Sequence, residues 1–558
     1  MNSRQSNQQE QQNATQQQQQ RMLEMEQQQV AMQQAVQKFA GKYEIQLEWP
    51  AVVIKTDNGS KPIRTSTELI QHRLMESGIL YDTSIPTKDV VLAASNFVEN
   101  LEQSDCFHSI QIEIGEPSVT SADPEGQRSD GDDVTNLRRI NVKLKEKNWY
   151  KLHAGAGLKA DGWLGGTSST ITGGSATTTD AFIPTAEMEL RAGLRNIVGC
   201  LDRTDLQYSV DTHNIGSWTL THVRPLYTVL PATLSDSLLL QSTGSQYMFT
   251  ARGVLDTSDR IAISSFYEYQ RLLSLKASTS ESMATNSSSN PWYSSIEYGI
   301  LYRDLIPRRH ATMPYHFAAS PEIVVQSGAS VKHAITSVTS YNNYSTDSSK
   351  LPVHGVQMQC STEFALPPGD AGFVKGQISI AGHLPIFKNR IALHTSICSG
   401  YLHSISYGGL CGPPLISDRF LLGGTGSFRG FVPAGIGPRG QSINSGPSNN
   451  RLGDALGGNL FYTATLMASL APPDTIEGVS QVTRTLRLFG FTTIGSCLSV
   501  SNTTSWNDIV GSTRMSAGVG IASGVLGPRI EATCTLPINN GPVDGMRRFQ
   551  LGMCISIV

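Results

Sequence analysis

The 558-residue sequence has few charged side chains and no long hydrophobic run. Asp, Glu, Lys and Arg together make up 16% of the residues, whereas ordinary soluble domains contain about 25%. A soluble helical protein would carry more Glu and Lys on its exposed faces, so the low charge argues against that class. No run of about 18 apolar residues is present, which excludes an ordinary transmembrane helix.

The sequence also lacks the residue patterns of common enzyme, metal and nucleic-acid sites. Its 43 basic and 46 acidic residues nearly balance, whereas a nucleic-acid surface needs a basic excess. The 8 cysteines include no CxxC pair, and the 12 histidines show no metal-ligand spacing. A Walker A lysine, a GxSxG elbow and an HExxH motif are all missing. We therefore predict a protein that is not an enzyme and has no catalytic residue, cofactor, metal or nucleic-acid partner.

Hydroxyl groups and glycine supply the polarity that charges do not. Ser and Thr account for 107 residues and Gly for 51. The first 40 residues contain 16 Gln. Such a polar tract cannot bury enough apolar area to offset its ordering entropy, so residues 1–40 are predicted to be a disordered tail.

Residues 48–147 have the pattern of a small α+β domain. A short strand at 52–54 is followed by a helix that Ser66 caps, with apolar residues at helical spacing. A second helix begins near Thr87, and alternating strands follow at 108–114 and 140–144. The predicted order of elements is β-α-α-β-β.

From residue 148 to 558 helical periodicity gives way to short alternating stretches separated by Gly, Pro, Asn and Ser. In 529–536 the apolar side chains alternate with Arg529, Glu531 and two threonines. Such strands fit a sandwich or a barrel. We favour a transmembrane barrel, because a polar face toward a wet lumen and an apolar face toward lipid explain hydroxyls in place of charges. Each strand then needs only about 9–11 residues to cross.

The segment 421–440 carries a glycine-rich motif. Its GxGxxG spacing at 435–440 is not a nucleotide site, because the following segment 441–450 is no helix. A flexible spacer would not need Phe428 and Phe431 on either side of Arg429. Such a trio can fix a long loop by placing the guanidinium on an acceptor inside a lumen. The candidate lumen-loop residues are Gly423, Gly424, Phe428, Arg429, Gly430 and Phe431.

The last ten residues form the most regular alternating strand of the chain. They read as polar-x-Gly-x-x-hydrophobic-x-hydrophobic, a spacing that by itself is generic. The residues that carry this pattern are Gln550, Gly552, Ile555 and Ile557.

Together these features resemble the core barrel subunit of the mitochondrial sorting and assembly machinery (SAM), a relative of bacterial BamA. That family carries a (V/I)RGF-type motif in a loop inside the barrel, which here reads FRGF at 428–431. The segments 189–199, 484–495 and 515–558 are also similar to strands of the family. The resemblance implies an N-terminal POTRA-like domain and an all-β transmembrane barrel of 16 antiparallel strands.

The resemblance implies that the barrel opens at a seam between its first and last strands, here about 150–158 and 549–557. The last strand would be both a gate strand and a β-signal. The family's loop arginine meets an acidic residue on a nearby strand. Because 457–470 contains no acid, Asp454 just before it is the candidate partner. The candidate residues of the first gate strand are Tyr150, Leu152, Gly155 and Gly157.

The function implied is that of an insertase for β-barrel precursors in the mitochondrial outer membrane, with the POTRA-like domain in the intermembrane space. Its partners would be unfolded porin and import-channel precursors, metaxin-like peripheral SAM subunits and outer-membrane lipid. The alternative is a polypeptide-translocating outer-envelope channel of the same superfamily. A barrel enzyme would need a nucleophile with a paired histidine and acid, and a passive porin would need neither the α+β domain nor the FRGF loop.

The glycines of the two gate strands have two interpretations. Gly155, Gly157 and Gly552 weaken strand interiors and could keep the seam easy to open. They could equally relieve crowding where side chains point inward. The sequence favours neither.

Overall fold

The structure is a computed structural model of the whole chain. It describes the following residues: 44–56, 64–77, 84–102, 104–115, 137–159, 185–211, 216–226, 247–279, 291–309, 318–346, 351–387, 390–441, 453–471, 486–501, 504–524 and 529–554. The predicted disordered tail, 1–40, lies outside them. The chain divides into an N-terminal unit, Met1–Tyr150 with Leu194–Arg203, and a barrel unit, Lys151–Gly193 with Thr204–Val558.

Among its described residues, the N-terminal unit contains a four-stranded sheet and two helices. The sheet order is β2-β1-β4-β3, with β1 and β4 parallel and the other neighbours antiparallel. The structure adds a short strand between the helices, which the predicted order β-α-α-β-β omitted because three residues are too few to show alternation. The elements are β1 Glu44–Thr56, α1 Thr67–Glu76, β2 Ser84–Pro86, α2 Thr87–Glu102, β3 Phe107–Gly115 and β4 Leu137–Glu146.

The apolar faces of the two helices form the core of this unit. Ile70 and Leu74 of α1 and Phe97 and Leu101 of α2 are fully buried. They pack with Val142 and neighbouring apolar residues of the sheet in one cluster. The helical spacing in the sequence therefore identified the correct buried faces.

The barrel unit is built on a single 16-stranded sheet in which every strand neighbours the next strand of the sheet along the chain. All register pairs described for it are antiparallel. The strands are β5 Tyr150–Lys159, β6 Thr185–Arg195, β7 Arg203–Asp211, β8 Gly216–Leu226, β9 Tyr247–Asp259, β10 Phe266–Thr279, β11 Trp292–Pro307, β12 Gly328–Thr346, β13 Pro352–Leu366, β14 Phe373–Phe387, β15 Ile391–Ser404, β18 Leu460–Leu470, β19 Leu486–Leu498, β20 Arg514–Ser523, β21 Arg529–Asn539 and β22 Phe549–Cys554.

Several shorter elements connect these strands. Two two-residue strands pair with each other in the long connection between β15 and β18. The short elements are β16 Arg439–Gly440, β17 Asp454–Ala455, α3 Ile261–Ser264, α4 Pro321–Val325 and α5 Trp506–Gly511. Within the described ranges, no helix combines the length and apolarity that a bilayer crossing requires.

The sheet buries its polar face and exposes its apolar face. In β21, Arg529, Glu531 and Thr533 are buried, whereas Leu536 is 64% exposed. Neighbouring strands show the same inversion, with Val519 of β20 63% exposed. An apolar outer face and a polar inner face are what a barrel in lipid requires.

Candidate functional site

The connection between β15 and β18, residues 405–459, folds against the inner face of the barrel strands; we call it the lumen loop. The structure describes it at 405–441 and 453–459. It contributes Phe420, Leu422, Phe428 and Phe431 to a buried cluster shared with strand residues such as Phe461. The loop therefore has its own apolar core on the sheet.

Arg429 of the predicted FRGF motif forms an ion pair with Glu531 of β21. Its Nη2 lies 2.9 Å and its Nε 3.2 Å from Glu531 Oε2. Glu531 is fully buried, and Arg529 Nε lies 2.9 Å from its other carboxylate oxygen. One carboxylate thus faces two guanidinium groups in a site closed to bulk water, where the interaction is weakly screened.

Aromatic rings complete the surroundings of Arg429. Its guanidinium carbon lies 5.6 Å from the ring centre of Phe489 and 5.2 Å from that of Phe491, both on β19. These distances are within the range of cation–π attraction. Lysine could supply the charge at this position but not the planar fork, so the site is specific for arginine.

The two phenylalanines of the motif pack against each other and hold residues 425–431 in place; we call this segment the loop tip. Phe428 and Phe431 are fully buried, and their ring centres lie 5.2 Å apart in an edge-to-face arrangement. The prediction that the aromatics fix the arginine loop agrees with this packing, since both rings belong to the apolar cluster of the lumen loop.

Gly430 allows the loop backbone to approach the strands closely. Its φ is +92°, and a Cβ placed there would lie 2.6 Å from Thr535 Cγ2 of β21. The carbonyl of Arg429 accepts a 2.7 Å hydrogen bond from Ser516 Oγ of β20. Only glycine adopts this conformation without strain and leaves this space.

Gln550 of the last strand binds the loop tip through both ends of its amide. Its Oε1 accepts from Gly430 N–H at 2.9 Å, and its Nε2 donates to the Phe431 carbonyl at 2.6 Å. Gly552, two residues further along β22, faces Thr425 of the loop, and an added Cβ would collide with that side chain. The lumen-loop motif and the last strand, predicted as separate features, therefore form one site.

Asp454 is not the acidic partner of Arg429, so that prediction was wrong. Its carboxylate accepts 2.6 Å hydrogen bonds from Ser265 Oγ and from Ser320 N–H. The sequence held a signal for the true partner. Glu531 is the only acidic residue within the bounds of β19, β20, β21 and β22, and it alternates on the same face as Arg529.

A second ion-pair cluster, which sequence reasoning missed, holds an earlier part of the lumen loop; we call it the Asp418 cluster. Arg303 of β11 donates to both carboxylate oxygens of Asp418 at 2.9 Å. Lys332 of β12 donates to Oδ1 at 2.9 Å and to Glu363 of β13 at 2.7 Å. Lys375 Nζ of β14 donates to the Asp418 carbonyl at 2.8 Å.

The charges of this cluster keep Asp418 ionised although it is only 3% exposed. Burial by itself would raise the pKa of Asp418. Lys332 and Arg303 outweigh that effect and lower the pKa from 3.8 to about 2. No single motif contains these residues, because they come from four strands and a loop that are distant along the chain.

The predicted residues of the first gate strand lie on β5. Tyr150 is 52% and Leu152 75% exposed. Within the described part of the chain, a Cβ at Gly155 would meet only the ring of His153, at 3.3 and 3.9 Å. The surroundings of Gly157, and all of Ile555 and Ile557, lie outside the described residues.

The strands β5 and β22 occupy the two ends of the sheet order. This is the arrangement that a seam between the first and last strands would need. Across the residues that the structure describes, no group of three or more His, Cys, Asp or Glu could hold a metal ion.

Comparisons with known proteins agree with this geometry. The Omp85 superfamily domain matches residues 202–557. A SAM50-like protein of Schizosaccharomyces pombe is 29% identical over 251 residues, which are 43% of this chain and 48% of that protein. The sorting and assembly machinery component 50 homolog of Mus musculus is 30% identical over 149 residues, which are 26% of this chain and 28% of that protein. The matches thus span less than half the length of these curated relatives.

The fold is also similar to that of a solved structure. The crystal structure of BamA from Haemophilus ducreyi lacking POTRA domains 1–3 superimposes with a TM-score of 0.60 at 16% identity. The superposition covers 91% of this chain and 84% of that one. The predicted fold class, a transmembrane barrel of 16 antiparallel strands after a small α+β domain, is confirmed.

Proposed function

The chain belongs to the Omp85 superfamily, and on that premise we propose that it folds and inserts β-barrel precursors into the mitochondrial outer membrane. Its similarity to SAM50 proteins supports this membrane and this class of substrate. The proposal contains no enzymatic step. Insertion is driven by strand pairing and by burial of apolar side chains in lipid.

One observation carries the mechanism: the sheet ends at β5 and β22, and Gln550 and Gly552 on β22 contact the lumen loop. Separation of β5 from β22 would expose a row of N–H and C=O groups at each edge. A precursor strand can pair with such an edge by β-augmentation, in which main-chain hydrogen bonds give affinity and alternate side chains give selectivity. Unmade backbone hydrogen bonds are costly in lipid, so a template for the first strand lowers the barrier to insertion.

The proposal assigns the partners as well. Unfolded porin and import-channel precursors are the substrates, and metaxin-like peripheral subunits bind the barrel. The N-terminal unit, with two helices on a four-stranded sheet, acts as a POTRA-like domain that receives precursors in the intermembrane space.

Depletion of the protein tests the proposal. Mitochondria isolated from depleted cells should assemble radiolabelled porin precursor into native-gel complexes several-fold more slowly, while import of a matrix-targeted precursor stays normal. Re-expression of the wild-type chain should restore porin assembly. Normal porin assembly after depletion would overturn the proposal. A loss of matrix import with normal porin assembly would favour a translocation channel instead.

A further inference from the structure

The lumen loop is attached to the barrel by ionic contacts at two distant places. Asp418 meets Arg303 and Lys332, on β11 and β12. Arg429 meets Glu531 on β21. In the order of the 16-stranded sheet β21 is second and β11 is tenth. In a closed barrel of 16 strands, two strands that are eight positions apart lie on opposite sides of the barrel.

The loop segment between these two attachments is held by side-chain packing and a backbone pairing. Phe420 packs on Phe461 of β18 with ring centres 4.6 Å apart. Leu422 pairs with Ile436 through a β-bridge, and both are buried in the apolar cluster of the loop. A displacement at Asp418 would therefore be transmitted along packed residues to the loop tip rather than absorbed on the way.

The loop tip in turn holds the last strand. Gln550 binds Gly430 and Phe431, and Thr425 packs on Gly552. The contacts form a continuous path from Asp418 through the loop to β22. Along the order of the sheet, eight strands lie between β22 and β11.

We propose that Asp418 is a second positioning residue of the lumen loop, beside Arg429, and that it ties the last strand to the middle of the sheet from inside the barrel. It acts through the loop and does not touch a precursor. Its charge is essential because the cluster contributes three cations, Arg303, Lys332 and Lys375. Without the Asp418 carboxylate, Arg303 would lose both of its charged hydrogen bonds in this cluster.

The consequence for the seam rests on the proposed function. If the sheet opens between β5 and β22, the loop keeps β22 in place relative to β11–β14. The attachment itself can be measured without any insertion reaction. The attachment and the proposed insertase function can therefore be rejected independently.

Amide hydrogen exchange of the full-length protein in phospholipid vesicles tests the attachment. The reporters are the amides of Phe420, Gly424 and Phe428, which donate to Gly458, Phe431 and Gly424 carbonyls at 2.9, 3.0 and 2.9 Å. Asp418→Asn should speed their exchange about tenfold or more, because charged hydrogen bonds are lost. Peptides of β22 should also exchange faster.

Two matched variants separate positioning from general stability. Asp418→Glu keeps the charge and should restore most of the protection. Asp370→Asn changes a carboxylate that, among the described residues, accepts a 2.6 Å hydrogen bond from the Val331 N–H, and it should leave the loop amides unchanged. Unchanged loop exchange in Asp418→Asn would overturn the proposal. So would an equal loss of protection in β11–β13, which would mean that the fold as a whole had weakened.

If Asp418→Asn does not fold, Lys375→Met provides the same test. It removes the 2.8 Å hydrogen bond to the Asp418 carbonyl and the contact of the Lys375 ammonium with the Phe420 ring, 4.7 Å from the ring centre. It should speed loop exchange by a smaller factor. Insertion of porin is then measured on the same preparations. Altered loop exchange with normal insertion would sustain the attachment and reject its role at the seam.

Discussion

Gln550 of the last strand accepts a hydrogen bond from the Gly430 N–H, 120 residues earlier in the chain, at 2.9 Å. Its amide nitrogen also donates to the Phe431 carbonyl at 2.6 Å. A residue that the sequence assigned to a terminal strand thus binds the backbone of the FRGF loop. The lumen loop and the last strand can therefore move only together or by breaking this pair of bonds.

Replacement of this glutamine should loosen the last strand. Gln550→Leu keeps the size of the side chain but leaves the Gly430 N–H and the Phe431 carbonyl without this partner. Each such loss costs about 1–3 kcal/mol in a buried site. We expect faster amide exchange in 549–554 and several-fold slower porin insertion. Gln359→Leu, at an exposed glutamine of β13, is the matched control and should change neither measurement.

Arg429→Lys should show that the guanidinium fork is needed and not only its charge. Lysine cannot make both the 2.9 Å and the 3.2 Å bonds to Glu531 Oε2, and its cation–π contact is weaker. We expect a loss of about 1–3 kcal/mol in the free energy of unfolding, measured by urea titration in vesicles. Arg419→Lys, in the same loop and without an ion pair to another described residue, should cost less than half as much. Equal effects of the two substitutions would contradict the assignment.

The contact of Gly552 with Thr425 predicts a rescue. Gly552→Ala should slow insertion and destabilise β22, because the new Cβ would collide with the Thr425 side chain. Thr425→Gly in the same chain should restore at least part of both losses by vacating that space. Gly376→Ala in β14, where an added Cβ meets no described atom within 4 Å, is the control. If the double variant is as defective as Gly552→Ala, the steric explanation fails.

The first gate strand offers a test of the weak-seam hypothesis. Among the described residues, a Cβ added at Gly155 meets only the end of the His153 side chain, so Gly155→Val should fold. Stiffening the strand should then slow precursor insertion several-fold, and adding Gly157→Val should slow it further. Insertion at the wild-type rate in both variants would favour the alternative, in which the small residues relieve crowding. A difference in gel migration between unheated and heated samples shows that each variant is folded.

The N-terminal unit should lose stability on acidification through Glu146. Burial by itself would raise the pKa of Glu146, but hydrogen bonds from Thr65 and Arg64 and the Arg64 charge lower it below 4.5. The folded carboxyl thus has a lower pKa than the unfolded one. Its stabilising contribution is present above about pH 4.5 and is lost as the pH falls through the folded pKa.

Glu146→Gln checks this prediction. Urea unfolding of the full chain, followed by exchange of peptides in 64–77, should show lower stability at pH 7. The difference from wild type should shrink as the pH falls below 4.5 toward the folded pKa. Glu113→Gln, which removes an exposed pair with Lys143 at 2.5 Å, should have little effect at either pH. A difference that stayed constant with pH would contradict the role of the Glu146 charge.

Local pattern was enough to predict the two helices of the N-terminal unit and the strands near the end of the chain. Helical spacing predicted α1 and α2 because each must bury one face. Period-2 alternation predicted β21 and β22, and the low charge predicted that their apolar faces meet lipid. The FRGF motif stood out because its two aromatics around an arginine have no use in a spacer. These features depend on residues within a few positions of each other.

Only the tertiary structure decided what the motif binds. Arg429 reaches Glu531, 102 residues away, and not Asp454, because strand register and the path of the loop set which side chains share a place on the inner wall. The Asp418 cluster gathers cations from β11, β12 and β14 for the same reason. A buried carboxylate needs such partners, but their identity follows from strand register and the path of the loop and not from spacing along the sequence.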